Sequence, residues 1–127
     1  MLNPRKQLGA LGEKIAIEFL KGHGYKIRET NFRCLLGEID IVAEKEKCLV
    51  FVEVRTRTSS EFGTPEESIT IAKKRKLISL ALTYLQSHED LSPLWRIDVV
   101  AVEMVNGGKV SRVELIENAI EDTRARR

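Results

Sequence analysis

Three acidic residues in otherwise apolar segments are the first candidates for chemistry. The segment from Gly37 to Arg55 reads GEIDIVAEKEKCLVFVEVR and sets Glu38, Asp40 and Glu53 among residues typical of β-strands. Burying an unpaired carboxylate is costly, so acids in a core require a compensating partner. A bound cation is one such partner.

The alternation of side chains along strands predicts that these acids meet. If Glu44–Lys47 form the turn between two antiparallel strands, Glu38 lies directly opposite Glu53, and Asp40 lies diagonal to it at about 7–8 Å. The same alternation puts the acids and Arg55 on one face of the hairpin. The arrangement depends on the register, because a slip of one residue would reverse the faces.

Carboxylates on rigid strands favour Mg²⁺ or Mn²⁺ over zinc. The histidines and cysteines do not stand at the spacing of a zinc site. Magnesium keeps water ligands and shares phosphate oxygens with a substrate, which points to hydrolysis of phosphodiesters. The alternative is a structural ion-pair network, in which Glu38 pairs with Arg55 or with a lysine.

Charged residues outside the hairpin could join the acids. Lys73 lies on the apolar stripe of a predicted helix, so its side chain either extends to solvent or reaches the acids. It begins the basic run Lys73, Lys74, Arg75 and Lys76, which together with Arg124–Arg127 could bind phosphates, although such a run is more often a solvated surface. Glu13 lies at the edge of another helical stripe, where an isolated acid is typically exposed.

The pattern of apolar residues predicts the helices and strands that must position these residues. In chain order they form an α/β fold αβββαββ, with a mixed sheet flanked by helices. The chain of 127 residues is 43% apolar and 31% charged, with a net charge of +2, which predicts one globular domain over 1–127. The predicted elements are a helix from Pro4 to about Gly22, strands over 25–31, 38–43 and 48–57, a helix through 73–84, strands over 95–102 and 109–116, and a short helix or frayed tail over about 118–127.

Local signals mark several boundaries. Asn3 is suited to cap the first helix, and Thr70 or Thr64 to cap the second. Gly9 and Gly12 inside the first helix predict close approach by another part of the backbone. A loop is predicted over Ser59–Pro65, and the run Asn106-Gly107-Gly108 predicts a turn.

The sequence also predicts where the protein is found. The first residues lack the apolar run of a signal peptide, and no segment is long and apolar enough to span a bilayer. Cys34 and Cys48 are expected to be free thiols of a reducing compartment. We therefore expect a cytoplasmic protein without a membrane partner.

Five motifs occur in order over nearly the whole chain: LGALGEKIA, NFRCLLGEIDIVA, FVEVRTR, FGTPEESIT and RIDVVAV. Together they resemble the YraN-like family of small bacterial proteins, which is grouped with the restriction-endonuclease-like nucleases. A more distant similarity extends to archaeal Holliday-junction resolvases and to tRNA-splicing endonuclease-like folds. The resemblance implies a restriction-endonuclease-like domain.

The resemblance also implies a site, built on an Asp, a spacer and a Glu-x-Lys motif. It makes Asp40 the main metal ligand and Glu53 the second, with the Val54 carbonyl as a third. Glu13 matches an acid that related nucleases carry on a helix near the metal, and Glu38 would support the site. The implied cofactor is Mg²⁺ or Mn²⁺.

Arg55 departs from this motif, which usually has lysine at its position. An arginine stays protonated, so it cannot act as a general base, but it can bind a phosphate and stabilise charge in the transition state. Either the metal alone activates water, or Lys73 assists, or the activity is weak.

Three functions follow as hypotheses. The first is a metal-dependent endonuclease acting on DNA rather than RNA, with branched or structured DNA among its substrates. The second is a weak or inactive nucleic-acid-binding module on the same fold, and the third is a structural or protein-interaction domain. Related junction nucleases act as homodimers because two cuts need two sites, although no dimer surface is evident in the sequence.

Overall fold

Two helices and five strands form the fold in the predicted order αβββαββ. The computed structural model describes residues 3–58, 63–88, 94–105 and 108–120. The elements are α1 (Pro4–Gly22), β1 (Lys26–Cys34), β2 (Gly37–Lys45), β3 (Cys48–Thr58), a short 3₁₀ helix (Glu66–Ser68), α2 (Ile71–Gln86), β4 (Trp95–Val105) and β5 (Lys109–Ile120).

The five strands form one mixed sheet in the order β1-β2-β3-β4-β5. Neighbouring strands are antiparallel except for β3 and β4, which are parallel because α2 connects them. Leu20 of α1 packs with Ile41 and Val50 on one face. Tyr84 of α2 packs with Phe51 on the other face. The sheet therefore lies between the two helices, as predicted.

Both helices begin at capping residues that the sequence identified. The Asn3 side chain accepts a hydrogen bond from the Lys6 N–H at 2.9 Å. Thr70, not Thr64, caps α2, because its Oγ1 accepts the Lys73 N–H at 3.1 Å.

The glycines of α1 behave differently from each other. A Cβ added to Gly12 would lie 1.9 Å from Thr56 Oγ1, so this glycine allows α1 to approach β3 closely, against a side chain rather than the backbone. Gly9 has nothing within 4 Å of the corresponding position, so the predicted close approach is wrong there.

The turn between β2 and β3 is shorter than predicted. Glu46 and Lys47 alone form it, with φ angles of 50° and 68°, and Lys45 pairs with Cys48. Left-handed φ at both central residues is the signature of a two-residue turn that matches strand twist. The predicted register, with Glu38 opposite Glu53, is therefore wrong by two residues, and its continuation places Asp40 level with Glu53.

The C-terminal strand is longer than the sequence pattern indicated. Strand β5 continues to Ile120, which pairs with Ile97 of β4. A helix or frayed tail therefore does not begin at Asn118. The basic run at 124–127, residues 59–62 of the predicted loop, and Asn106 and Gly107 of the predicted turn lie outside the described residues.

Two further expectations can be compared with the structure. Cys34 and Cys48 are free thiols of intermediate exposure. Within the described ranges, no helix combines the length and apolar character needed to cross a membrane.

Candidate metal centre

Asp40 lies where β2 separates from β3. The pairing of these strands ends at Ile41 and Val52. Just beyond that pair, Asp40 Oδ2 accepts a hydrogen bond from the Val54 N–H at 2.8 Å. The carboxylate thus occupies the place of a backbone acceptor, and this bond fixes its position against β3.

The acids converge at the point where the regular alternation of side chains along β2 is interrupted. Ile39 belongs to the core beside α2 and Ile41 to the core beside α1, so the alternation along β2 is interrupted at Asp40. Asp40 approaches Glu13 of α1, whereas Glu53 contacts Lys73 of α2. The side chains of Asp40 and Glu53 nevertheless hydrogen-bond to each other, so these two acids meet as the alternation predicted. The side chains meet because the two strands diverge.

Three carboxylates form a compact cluster. One oxygen each from Glu13, Glu38 and Asp40 lies within 4.8 Å of the others. With its amide nitrogen turned towards the acids, Asn31 donates to Glu38 Oε1 at 2.6 Å and to Glu13 Oε1 at 3.1 Å. Glu13, which alone looked like a surface residue, therefore belongs to the site.

Asn31 was not identified from the sequence. Its φ angle is 55°, a conformation that asparagine tolerates better than most residues. This backbone turn directs its amide to the acids. An asparagine within a strand-like segment was the available signal, but the pattern did not indicate its partners.

Burial and mutual repulsion raise the pKa values of two acids of this cluster, Asp40 and Glu13. Burial, together with the nearby charges of Glu53 and Glu13, raises the pKa of Asp40 to about 8, although the Val54 N–H bond opposes this rise. Burial also raises the pKa of Glu13, with contributions from Glu38 and Glu53. A divalent cation would reverse the sign of these interactions, because it attracts each carboxylate.

Glu53 links the acids to two cations. It is only 4% exposed. Its Oε2 lies 3.4 Å from Arg55 Nη1 and 3.8 Å from Lys73 Nζ. Of the two outcomes considered for Lys73, its side chain therefore reaches the acids.

A serine that the sequence did not single out holds the guanidinium of Arg55. Ser68 Oγ accepts hydrogen bonds from Arg55 Nε at 3.2 Å and Nη2 at 2.8 Å. Ser68 ends the short 3₁₀ helix before α2, and its hydroxyl donates to the Pro65 carbonyl. This contact joins segments 13 residues apart, which local sequence patterns do not report.

The site opens into a cleft of about 550 Å³ between α1 and β3. The lining combines carboxylates with guanidinium and hydroxyl groups, an arrangement that suits a metal ion and a phosphate together. The residues lining it are Arg5, Leu8, Gly9, Glu13, Asp40, Val54, Arg55, Thr56, Arg57, Thr58 and Ser68.

The basic run of α2 extends away from this cleft. Lys74, Arg75 and Lys76 are exposed, whereas Lys73 is half-buried beside Glu53. The structure thus brings Glu13, Glu38, Asp40, Glu53, Arg55 and Lys73 together. The metal-binding roles assigned to Asp40, Glu53, Val54 and Glu13 stay predictions.

Comparison with known proteins identifies the family. The model of "Uncharacterised protein family UPF0102" matches residues 12–102. A UPF0102 protein of Geobacter metallireducens is 45% identical over 116 residues, covering 91% of this chain and 93% of the relative. A UPF0102 protein of Caldicellulosiruptor saccharolyticus is 45% identical over 115 residues, covering 91% and 98%. Another, from Dehalococcoides mccartyi, is 46% identical over 116 residues, covering 91% and 94%.

Proposed function

Since the chain belongs to the UPF0102 family, as its resemblance to YraN-like proteins implied, its function must be argued from the site, and we propose a metal-dependent endonuclease. The proposed cytoplasmic enzyme hydrolyses phosphodiester bonds of DNA, including branched or structured DNA. The observation that carries the proposal is the convergence of Glu13, Glu38 and Asp40 beside Glu53 at a cleft that also contains arginines.

The carboxylates supply the ligands for the proposed Mg²⁺ or Mn²⁺ ion. Asp40 is held by the Val54 N–H, and Glu13 and Glu38 by Asn31, so their oxygens converge without needing to reorganise. Glu53 and the Val54 carbonyl complete the predicted ligand set. When bound, the ion activates water and neutralises charge on the scissile phosphate.

Arg55 and Lys73 provide positive charge beside Glu53. An arginine cannot act as a general base, and Ser68 restrains the guanidinium of Arg55, so the role of Arg55 in this proposal is to contact a phosphate oxygen. Lys73 lies 3.8 Å from Glu53 and orients that carboxylate from α2. Arg5 and Arg57, which line the same cleft, extend the cationic surface along the path of a DNA strand.

The fold supports the same proposal. A mixed sheet lies between two helices, and Asp40 on β2 faces a Glu-x-Arg motif on β3. This is the arrangement that the resemblance to restriction-endonuclease-like nucleases implies, with arginine at the position of the usual lysine.

Cleavage of a DNA panel tests the proposal. Linear, nicked and four-way DNA would be incubated with the protein in Mg²⁺, Mn²⁺ or EDTA. We expect metal-dependent cleavage that falls roughly a hundredfold or more in Asp40→Asn and Glu13→Gln, because each removes a ligand charge. Glu18→Gln, an exposed change on the same helix as Glu13, is the matched control and should cleave like the wild type. Cleavage that persists in both site variants would contradict the assignment.

Arg55 favours one alternative, a nucleic-acid-binding module that lacks efficient chemistry. Such a protein would bind DNA in a salt-sensitive manner through the basic run at Lys73–Lys76, without metal-dependent cleavage. Arg55→Lys distinguishes the two, since a gain of cleavage in this variant from an inactive wild type would favour the binding module.

A further inference from the structure

Two adjacent leucines form the tip of the hairpin between β1 and β2. Leu35 is fully exposed and Leu36 is 47% exposed. The pair of Cys34 and Gly37 closes the hairpin directly below them. Single exposed leucines are common on protein surfaces, but here two neighbours project together from a short turn.

Positive charge flanks this leucine tip, defined as Leu35 and Leu36. A Cβ added to Gly37 would lie 2.9 Å from Lys76 Cε and 3.4 Å from its Nζ, so the lysine lies over the base of the hairpin. The Arg33 side chain is 76% exposed and contacts Glu38 at 3.1 Å. An apolar tip between two cations complements a nucleic acid, whose apolar bases lie between anionic phosphates.

The tip is connected rigidly to the candidate metal centre. Glu38 follows Leu36 by two residues along β2, and Asp40 follows it by four. Four strand residues span about 13 Å, which corresponds to about four base steps of DNA. DNA that reaches the acids can therefore also meet the tip.

We propose that the leucine tip is a wedge that enters an opened base step of DNA near the site of cleavage. The inference rests on the proposed nuclease function and specifies its substrate, which is DNA whose bases are unstacked at a branch or distortion. Leucine side chains inserted between base steps replace stacking with apolar contact, and Lys76 and Arg33 lie where they can contact the flanking phosphates. A contact between two copies through this tip would instead bring Lys76 of each copy towards the other.

Fluorescence of 2-aminopurine tests the wedge. The base analogue would be placed at the branch point of a four-way junction and at the same sequence in a linear duplex, both in EDTA so that no cleavage competes. We expect the wild type to increase the junction signal on binding. Leu35→Ser combined with Leu36→Ser should abolish that increase and weaken junction binding about tenfold, the scale set by the loss of one buried leucine contact.

Leu82→Ser combined with Val110→Ser is the control, since it removes partly exposed apolar side chains elsewhere and should behave like the wild type. A tip variant that keeps both the fluorescence increase and the affinity would overturn the wedge alone. A wild type that binds none of the DNAs would contradict the proposed function as well. Light scattering that shows the tip substitutions converting a dimer into a monomer would identify a contact between copies and overturn the wedge.

Discussion

The negative charges of two aspartates in the same sheet are compensated in different ways. Asp98 on β4 is fully buried and accepts hydrogen bonds from Arg96 Nε at 3.0 Å, the Tyr25 hydroxyl at 3.1 Å and the Asn118 N–H at 2.8 Å. Asp40 on β2 accepts the Val54 N–H, but its carboxylate also faces other acids.

The difference separates a structural acid from a candidate functional one. Asp98 connects Tyr25, which lies between α1 and β1, to β4 and β5 through groups that match its charge and its hydrogen bonds. Burial and the concentrated negative charge of the Asp40 cluster instead raise the pKa of Asp40 to about 8, so ionisation of Asp40 destabilises the protein. Stability is commonly sacrificed in this way where a site must bind a ligand.

The largest expected change in stability follows from replacing Asp98. Asp98→Ala leaves the Arg96 guanidinium without its carboxylate and the Asn118 N–H without its acceptor. Breaking a buried ion pair in this way should lower the free energy of unfolding by about 3–5 kcal/mol. Denaturation in urea measures the change, with the exposed Glu117→Ala as the control. A loss no greater than that of the control would contradict the structural role of Asp98.

A change of stability in the opposite direction is expected when Asp40 is replaced in the metal-free protein. Asp40→Asn keeps an oxygen acceptor for the Val54 N–H and removes the charge, so it should raise the melting temperature by roughly 5 °C at neutral pH. The folded-state pKa of about 8 exceeds the ordinary aspartate pKa of 3.8. Ionisation therefore destabilises the wild type progressively as the pH rises between these values.

Thermal melts in EDTA from pH 3 to pH 9 would measure this dependence. The advantage of Asp40→Asn should be small near pH 3, grow through the acidic and neutral range, and level off above about pH 8. An Asn variant that is less stable than the wild type at every pH would show that the Asp40 charge is compensated as well as that of Asp98.

The fold was largely predictable from the sequence, because its signals are local. Asn3 and Thr70 cap the helices as the pattern indicated, and apolar segments with their turn signals predicted the five strands of the sheet. The hairpin register was not predictable, because Glu46-Lys47 lacks the glycine that usually marks a two-residue turn. The resulting error of two residues kept the acids near one another but paired Glu53 with the wrong neighbour.

The site was predictable only in part. Motifs identified its charged residues, but the interruption of alternation at Asp40 and the left-handed conformation of Asn31 arise from how β1, β2 and β3 pack. Ser68 meets Arg55 through a contact between distant segments. Such contacts are set by the tertiary structure and leave no periodic pattern in the sequence.

A smaller effect, on the cleavage rate, is expected when Ser68 is replaced, because Ser68 accepts two hydrogen bonds from Arg55. Ser68→Ala removes the acceptor of two guanidinium hydrogen bonds and should reduce cleavage about tenfold, the scale of a lost supporting contact. The melting temperature should change little, because Arg55 is partly exposed. Single-turnover cleavage measures the effect, and Ser111→Ala is the control. An unchanged rate would show that Arg55 needs no support from Ser68.

The most direct test of the cation site is calorimetric titration of Mn²⁺ into wild type and Asp40→Asn at pH 8. We predict that the wild type binds Mn²⁺ and that the variant binds it at least about tenfold more weakly, since it lacks a ligand charge. Identical isotherms for the two proteins, or no binding by the wild type, would show that the carboxylates gathered around Asp40 do not form a metal site.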